Sequence, residues 1–406
     1  MAGTSSPSLA SLPLVALDGI MEALCPHCTE DTEFSPWRTP IHHFGGQRRL
    51  LASTQALANL AVTCWALNDS ATRFLYHQPQ GWSTRRVALY RTLAKRPELA
   101  SRVKVLRLDY DDGLYELPED KNDRDFLLDL ATRHGWSHAP ESLEEEGTQD
   151  LLTSLLMAMC PNLEKVSTGL GYPSEFPLLQ FDTLPHLKDI YVSHIDTEMG
   201  TDLGSLDGLF DAAPNLEAFT SNMAAGVGDM ALRLGNVRDL RLDWSCISTE
   251  CLRTLLRSCP RLESFTYGAA GPIVGNEQFI AQSVRKLLLR YTPKLKHLHV
   301  DLRYGYVMLS WGADEDNGDD GNDPEPAPGF ASLSCLETLT VDLQVLNDWD
   351  TQQPVATLFP QSLRSLTLLA AYSPDRAKLG AKELKEFAST ARDLLPNLQH
   401  YDFAKE

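Results

Sequence analysis

The sequence has little positive charge and no long apolar run. Its 406 residues contain 36 lysines and arginines against 55 aspartates and glutamates, which gives a formal net charge of -19. This balance repels phosphate backbones and anionic lipid, so we expect neither a nucleic-acid nor a membrane partner.

No stretch reaches the ~18 uninterrupted apolar residues that a membrane-spanning helix needs. Residues 1–11 lack the basic and apolar segments of a secretory signal. We therefore expect an intracellular protein, cytoplasmic or nuclear, with a disordered tail at 1–11.

Motifs of enzyme active sites are also missing. The sequence has no P-loop, no dinucleotide-binding fingerprint, no nucleophile elbow and no HExxH motif. Its eight cysteines are scattered through apolar contexts, such as those around Cys160 and Cys259, where a reduced thiol packs as a small hydrophobic group. They do not form the pattern of a disulfide framework. The sequence predicts a binding protein without cofactors rather than an enzyme.

What the sequence does contain is a repeated phrase. Pro-Asn-Leu-Glu or a near variant, followed by two alternating apolar residues, occurs ten times between residue 99 and the C-terminus, as in CPNLEKVST from Cys160 and TPKLKHLHV from Thr292. The pattern L-x-x-L-x-L is typical of leucine-rich repeats, in which each unit contributes one short strand and stacked units share a continuous core. Leu295, Leu298 and Val300 form one of the clearest triplets.

The repeats predict an α/β fold, a leucine-rich-repeat solenoid over residues 81–406 with a parallel sheet on its concave side. From Leu163 to Leu398 the repeats are 21 to 41 residues apart, so we expect an irregular horseshoe. Two acidic insertions, at about 111–150 and at 312–329, interrupt it. The second has seven acidic residues and no basic one, out of register with a calcium-binding loop, so we expect both insertions to be exposed.

Residues 12–80 lie outside the repeat and predict a helical module. Apolar residues recur at helical spacing from Leu12 and again from Leu50, and Pro13 suits a helix start. A loop insertion over residues 25–49 separates the two helical stretches. Three helices of about 50 residues in total can scarcely bury every apolar side chain among themselves, so some should face a partner.

The order LP-x-x-x-L-x-x-I, then L-x-x-L-x-x-T-C-x-x-L, then a helix ending in Leu-Tyr, resembles F-box proteins that carry leucine-rich repeats, of the fungal type. The resemblance implies a module that docks on the Skp-type adaptor of a cullin-RING ubiquitin ligase. The docking positions that it implies are Leu12, Pro13, Ile20, Leu57, Leu60, Cys64 and Leu67.

The motif CPHC at Cys25–Cys28 has three interpretations: half of a zinc site, a redox motif, or a structural loop. Zinc needs four ligands, and the candidates nearest in the sequence are His27, His42 and His43. Adjacent histidines on an extended chain point to opposite sides, so His42 and His43 are unsuited to supply two ligands together. A redox CxxC would follow a strand, whereas this one follows a helix. We expect a structural loop and no metal site.

Strand residues between the leucines should line the concave face, where such repeats bind partners. Aspartate recurs just after the last apolar position of four units, which suggests either an acidic rim for a basic segment of a target or carboxylates bonded to their own turns. The substrate-binding candidates are Asp109, Tyr191, Arg241, Asp243, His297, His299, Asp301 and Asp342.

The favoured functional prediction is a substrate receptor of an SCF-type ubiquitin ligase, with an unknown protein as its target. The alternative is a protein-interaction scaffold whose F-box-like helices only cap the repeats. A third reading, an enzyme hidden in the aspartate-rich face, has no base, nucleophile and orienting group close together in the sequence.

Overall fold

The chain is an α/β protein with helices and a ten-stranded parallel sheet. The computed structural model describes residues 9–29, 44–79, 86–108, 118–136, 145–170, 176, 183–194, 198–228, 232–271, 281–303, 329–346, 355–369, 387, 390–391 and 393–404. It divides into two compact units. The first comprises Met1–Gly169 and Glu175–Tyr191, and the second comprises Leu170–Ser174 and Val192–Glu406.

The ten strands of the main sheet follow one another along the chain, as stacked repeats require. Its order is β1-β2-β3-β5-β7-β8-β9-β10-β11-β12, and each of the ten repeat phrases leads directly into one strand. The predicted α/β class is confirmed, and the arrangement is compatible with a repeat solenoid. The strands are β1 (Val105–Leu108), β2 (Lys165–Leu170), β3 (Asp189–His194), β5 (Ala218–Asn222), β7 (Asp239–Ser245), β8 (Ser264–Ala269), β9 (His297–Asp301), β10 (Thr338–Asp342), β11 (Ser365–Leu369) and β12 (His400–Ala404). β4 (Thr201–Asp202) pairs with β6 (Ala224–Gly226) in a separate small sheet.

Ten α-helices accompany the strands in the described part of the chain. They are α1 (Leu14–Leu24), α2 (Phe44–Ala61), α3 (Trp65–Leu75), α4 (Arg86–Lys95), α5 (Pro97–Ala100), α6 (Lys121–Arg133), α7 (Glu145–Met159), α8 (Asp207–Ala212), α9 (Thr249–Ser258) and α10 (Ala281–Tyr291). Short 3-10 turns replace helices before β10 and between β10 and β11, where the sequence is less regular. No helix in these described ranges combines the length and apolar character needed to cross a bilayer.

In-register pairing places equivalent side chains of the second unit in rows. Leu240, Phe265, Leu298, Leu339 and Leu366 are partners across β7 to β11, and all five are buried. The alternate positions carry polar side chains on the opposite face of the sheet, because successive residues of a strand point to opposite sides. The apolar row forms the core, and the polar row is available to a partner.

A second row forms where each repeat turns into its strand. The residue after the first leucine of each repeat phrase donates its backbone N–H to the carbonyl of the equivalent residue one repeat earlier: Lys296 to Glu263 at 2.7 Å, Glu337 to Lys296 at 2.8 Å and Arg364 to Glu337 at 2.8 Å. The side chains of this row alternate in sign in the sequence. Neighbouring side chains therefore form ion pairs, such as Lys296–Glu263 at 2.6 Å and Arg238–Glu263 at 2.8 Å.

The N-terminal helices have a core of their own. Leu17, Met21, Leu57, Leu67 and Ala71 from α1, α2 and α3 are buried against one another. Polar contacts also join the helices, since Arg73 of α3 donates to the carboxylate of Asp18 in α1 at 2.9 Å.

The helix α2 begins at Phe44, within the range 25–49 expected to be a loop insertion, and residues 30–43 lie outside the described part.

Residues 111–150 differ from the exposed insertion expected there, because they contain α6 and the beginning of α7. The carboxylate of Asp120 accepts hydrogen bonds from the backbone N–H groups of Asn122 and Asp123, which caps α6 at its first turn. Leu127, Leu130 and Ala131 then bury one face of that helix. The prediction of an exposed insertion relied on the acidic composition and overlooked the helical spacing of these apolar residues. Of the other insertion, 312–328 lies outside the described residues.

We predict different effects for two glycine-to-alanine substitutions in the second unit. Gly271 has φ +74°, and an added Cβ would clash with the carbonyl oxygen of Trp244. Gly271→Ala should therefore lower the free energy of unfolding by more than about 1 kcal/mol, because both the φ and the space are unsuitable. At Gly235 an added Cβ meets nothing within 4 Å, and its φ lies outside the left-handed range. Gly235→Ala is the control and should change stability by less than about 0.5 kcal/mol. Thermal denaturation measures both, and equal melting temperatures for the two variants would contradict the prediction.

Candidate functional site

The adaptor-docking residues implied by the resemblance occupy two environments. Leu57 and Leu67 are buried in the core of the helical module, and Leu60 and Cys64 are partly buried against that core. Leu57 and Leu67 are thus unavailable to a partner, which corrects their proposed docking role. Their helical spacing marked a buried face, and spacing alone does not separate a core from a docking surface.

The remaining predicted docking residues lie further out. Leu12 and Pro13 are exposed, and Ile20 is half-buried. Nine large apolar side chains are exposed in the described part of the chain, and five belong to the N-terminal helical module: Leu12, Leu14, Val15, Val62 and Trp65. Leu9, just before the module, is also exposed. The most exposed are Val15 and Val62 at 84% and Trp65 at 90%. Val62 and Trp65 were not among the residues predicted from the sequence, although both lie where α2 ends and α3 begins.

The polar face of the second unit carries a cluster of charged residues. Arg241 pairs with Asp243 at the end of β7, and Arg303 forms a bidentate pair with Asp301 at 2.8 and 2.9 Å. The backbone N–H of Arg303 also donates to Asp301 at 3.1 Å, so this carboxylate is bonded to its own turn. These aspartates are already compensated by arginines and do not form an unpaired acidic rim.

The electrostatics of this cluster follow from its burial. Burial lowers the pKa of His299, with the charges of Asp301, Arg241, Asp243 and Arg303 acting on it in opposite directions. Burial raises the pKa of Asp301, but hydrogen bonds and charge from Arg303 outweigh burial, so the pKa lies below its ordinary value. The result is a patch of mixed charge centred on β7, β9 and the turn after β9.

The other substrate-binding candidates do not form one surface. His297 is exposed and its Nδ1 lies 2.7 Å from the hydroxyl of Thr338. Tyr191 and Asp342 are buried, which corrects their assignment to the accessible face. Tyr191 packs against Val105 in the first unit. Asp109 lies outside the described residues.

The motif at Cys25–Cys28 lies in a compact cluster of four potential metal ligands in the first unit. Cys25, His27 and Cys28 come directly after α1, and His77 comes directly after α3. The Nδ1 atom of His77 lies 3.7 Å from the Sγ of Cys25 and 3.6 Å from the Sγ of Cys28, and the Nδ1 atom of His27 lies 3.6 Å from the Sγ of Cys28. One ligand atom from each residue lies within 4.8 Å of all the others.

Both ends of this cluster are fixed. The turn after α1 is closed by the backbone N–H groups of Cys28 and Thr29, each 3.1 Å from the carbonyl oxygen of Cys25. The carbonyl oxygen of His77 accepts the backbone N–H groups of Lys104 and Val105, each at 2.9 Å. The carbonyl of His77 therefore accepts the first hydrogen bonds of β1, as a carbonyl of the preceding repeat does for each later strand.

Glu164 lies behind His27. Its Oε2 is 3.4 Å from the Nε2 of His27, and its Oε1 accepts from the Nζ of Lys104 at 2.7 Å. Hydrogen bonding from Cys28 holds the pKa of Cys25 well below its usual range, and the same contact raises the pKa of Cys28. Hydrogen bonding to Cys25 raises the pKa of His27, despite the opposing effect of burial.

His77 was not among the ligands predicted from the sequence. The candidates there, His42 and His43, are close to the cysteines in the sequence and lie outside the described residues. His77 is 49 residues beyond Cys28, but it follows a helix end just as the cysteines do. The sequence signal that could have identified His77 is that potential metal ligands follow the ends of two helices that pack together.

Comparisons with known proteins leave the family open. No protein-family model and no curated protein matches the chain. Among solved structures, a structural-genomics target protein from Bacteroides fragilis matches with a TM-score of 0.31 and 14% identity, over 60% of this chain and 65% of that one. The match thus spans less than two thirds of that protein's length. Similarity at this level does not establish a family or a function.

We predict that Asp301→Asn destabilises the second unit in a pH-dependent way. The folded-state pKa of Asp301 is lowered, so its contribution is fully present above the unfolded-state pKa of about 4 and is lost as pH falls through the folded-state value. At pH 7 the variant should lose about 1–3 kcal/mol, because a charge-assisted pair with Arg303 is broken.

Thermal denaturation at several pH values tests this prediction. The difference in melting temperature between wild type and variant should shrink as pH falls from about 5 to about 3. A difference that stays constant over that range would show that the ionised carboxylate contributes nothing specific.

Proposed function

We propose that the chain is the substrate-recognition subunit of an SCF-type cullin-RING ubiquitin ligase. In this proposal the N-terminal helices are an F-box-like module that binds a Skp-type adaptor. The remaining residues are an irregular leucine-rich-repeat solenoid that binds a protein target and holds it close to the transfer chemistry of other subunits.

The observation that carries the proposal is the distribution of exposed apolar side chains. Five of the nine in the described residues lie in the N-terminal helical module, although that module already has a buried core. Exposed apolar groups concentrated in one small module are typical of a surface that a partner covers. Trp65 is the strongest candidate anchor, because tryptophan is enriched among the residues that dominate binding energy.

The proposed target surface is the polar face of the second unit. Trp244, at the end of β7, is 55% exposed and follows Asp243 of the mixed-charge patch. An exposed aromatic beside paired arginines and aspartates offers both an apolar anchor and directional hydrogen bonds. Since the aspartates are paired, selectivity here would come from geometry more than from net attraction of a basic segment.

One observation favours the alternative, a repeat scaffold without ligase involvement. The carbonyl oxygen of His77 satisfies backbone N–H groups at the start of β1, so the helices already have a structural role as a cap of the first strand. A cap alone has no need for a tryptophan that is 90% exposed. Adaptor binding separates the two proposals.

We predict that Trp65→Glu strongly weakens adaptor binding while the chain stays folded. Trp65 is the first residue of α3, where a negative charge interacts favourably with the helix N-terminus. Placing that charge in an apolar interface should weaken binding at least tenfold, as expected for the loss of an anchor worth about 2 kcal/mol or more. Co-purification of the full chain with a Skp-type adaptor, followed by calorimetric titration, measures the effect.

Trp244→Glu is the matched control, because it makes the same substitution at an exposed tryptophan in the other unit. It should bind the adaptor as wild type does. If wild type binds no adaptor, the scaffold alternative replaces the ligase proposal. If both tryptophan variants bind equally well, the docking surface lies elsewhere.

A further inference from the structure

We infer that Cys25, His27, Cys28 and His77 bind one structural zinc ion, with Glu164 orienting His27. The inference is independent of the proposed function, since it concerns how the first unit is held together. It replaces the structural loop that the sequence analysis favoured for this motif.

The ligand set and its dimensions fit zinc. Two thiolates and two imidazoles make a closed tetrahedral set, and structural zinc sites use four protein ligands of these types. With Zn–S bonds of ~2.3 Å and Zn–N bonds of ~2.0–2.1 Å, a tetrahedron has nitrogen-to-sulfur edges of about 3.5–3.6 Å. Three of the nitrogen-to-sulfur separations in the cluster are 3.6, 3.6 and 3.7 Å. No pair of ligand atoms is more than 4.8 Å apart, so binding needs little rearrangement.

A second feature points to a metal independently of the ligand set. When a histidine binds zinc through one ring nitrogen, its other N–H usually donates to a carboxylate or carbonyl. His27 has its Nδ1 toward the cluster and its Nε2 3.4 Å from the Oε2 of Glu164. Lys104 in turn fixes the other oxygen of Glu164 at 2.7 Å. This is the arrangement that orients a zinc-binding histidine.

The position of the cluster defines what the ion would do. It joins the turn after α1 to the end of α3, and the His77 carbonyl pairs with the first residues of β1. Through His27, Glu164 and Lys104 it also reaches the turns before β1 and β2. Zinc here would tie the N-terminal helices to the first strands. With four protein ligands the ion keeps no open position for substrate, so its role is structural.

The first test measures the metal in the purified full chain. We expect one zinc per chain by elemental analysis, and Co²⁺ substitution should give the visible absorption of a tetrahedral site with thiolate ligands. Cys25→Ser should lose the zinc and the cobalt spectrum. Cys335→Ser, which changes an exposed cysteine of the second unit, should keep both.

A milder substitution guards against misfolding of the cysteine variant. Glu164→Gln keeps all four ligands and should lower zinc affinity by about 10- to 100-fold, as expected for loss of a partner that orients a ligand. Glu263→Gln is its control, because Glu263 has the equivalent place in a later repeat and also pairs with lysine. It should leave zinc affinity unchanged. Competition against a zinc-binding dye measures both.

Three results would overturn the inference. They are a purified chain that holds no zinc and takes up none on titration with zinc alone, a Cys25–Cys28 disulfide as the native state, and a Cys25→Ser variant with wild-type zinc content. Unchanged zinc affinity in Glu164→Gln would overturn the role assigned to Glu164.

Discussion

The structure depends on one repeated hydrogen bond, from the backbone N–H at the start of each strand to the carbonyl of the equivalent residue one repeat earlier. In the second unit these bonds are 2.7 to 2.8 Å long at Glu263, Lys296, Glu337 and Arg364. Each bond sets the register of the following strand, and that register brings the leucines into one buried row. Side chains of alternating sign along the same positions favour this register further, since a slip would separate the paired charges.

A sheet built in this way needs a hydrogen-bond acceptor for the N–H groups at the start of its first strand. A first strand has no earlier repeat, so the N–H groups of Lys104 and Val105 need another acceptor. The carbonyl of His77 supplies it at 2.9 Å. The same residue places its imidazole among Cys25, His27 and Cys28. The N-terminal helices thus begin the sheet through one residue, while their exposed apolar side chains remain available to a partner.

Much of the fold could be predicted because it is periodic. The ten repeat phrases became the ten strands of the main sheet, and Leu295, Leu298 and Val300 are buried as the triplet predicted. Periodicity did not predict the role of a residue where the same spacing is compatible with both a buried and an exposed position. Leu57 has the helical spacing of a docking face but fills the core. Asp342 has the position of a rim residue but is buried.

The cluster of cysteines and histidines was harder to predict for a different reason. Its fourth member comes from the end of another helix, and only the packing of α1 against α3 brings Cys25 and His77 to 3.7 Å. Likewise, the pairing of Arg303 with Asp301 depends on the turn after β9, which the repeat pattern does not specify. Local sequence predicts strands well, whereas sites assembled from separate elements depend on tertiary geometry.

In the proposed zinc site, the cluster of cysteines and histidines holds the helices to the start of the sheet. Amide hydrogen exchange of the full chain, compared before and after zinc is removed by a chelator, measures whether it does. We expect faster exchange after zinc removal at Lys104 and Val105, whose N–H groups bond to the carbonyl of His77, and unchanged exchange at Glu337 and Thr338 in the other unit. Equal protection of Lys104 and Val105 with and without zinc would contradict it.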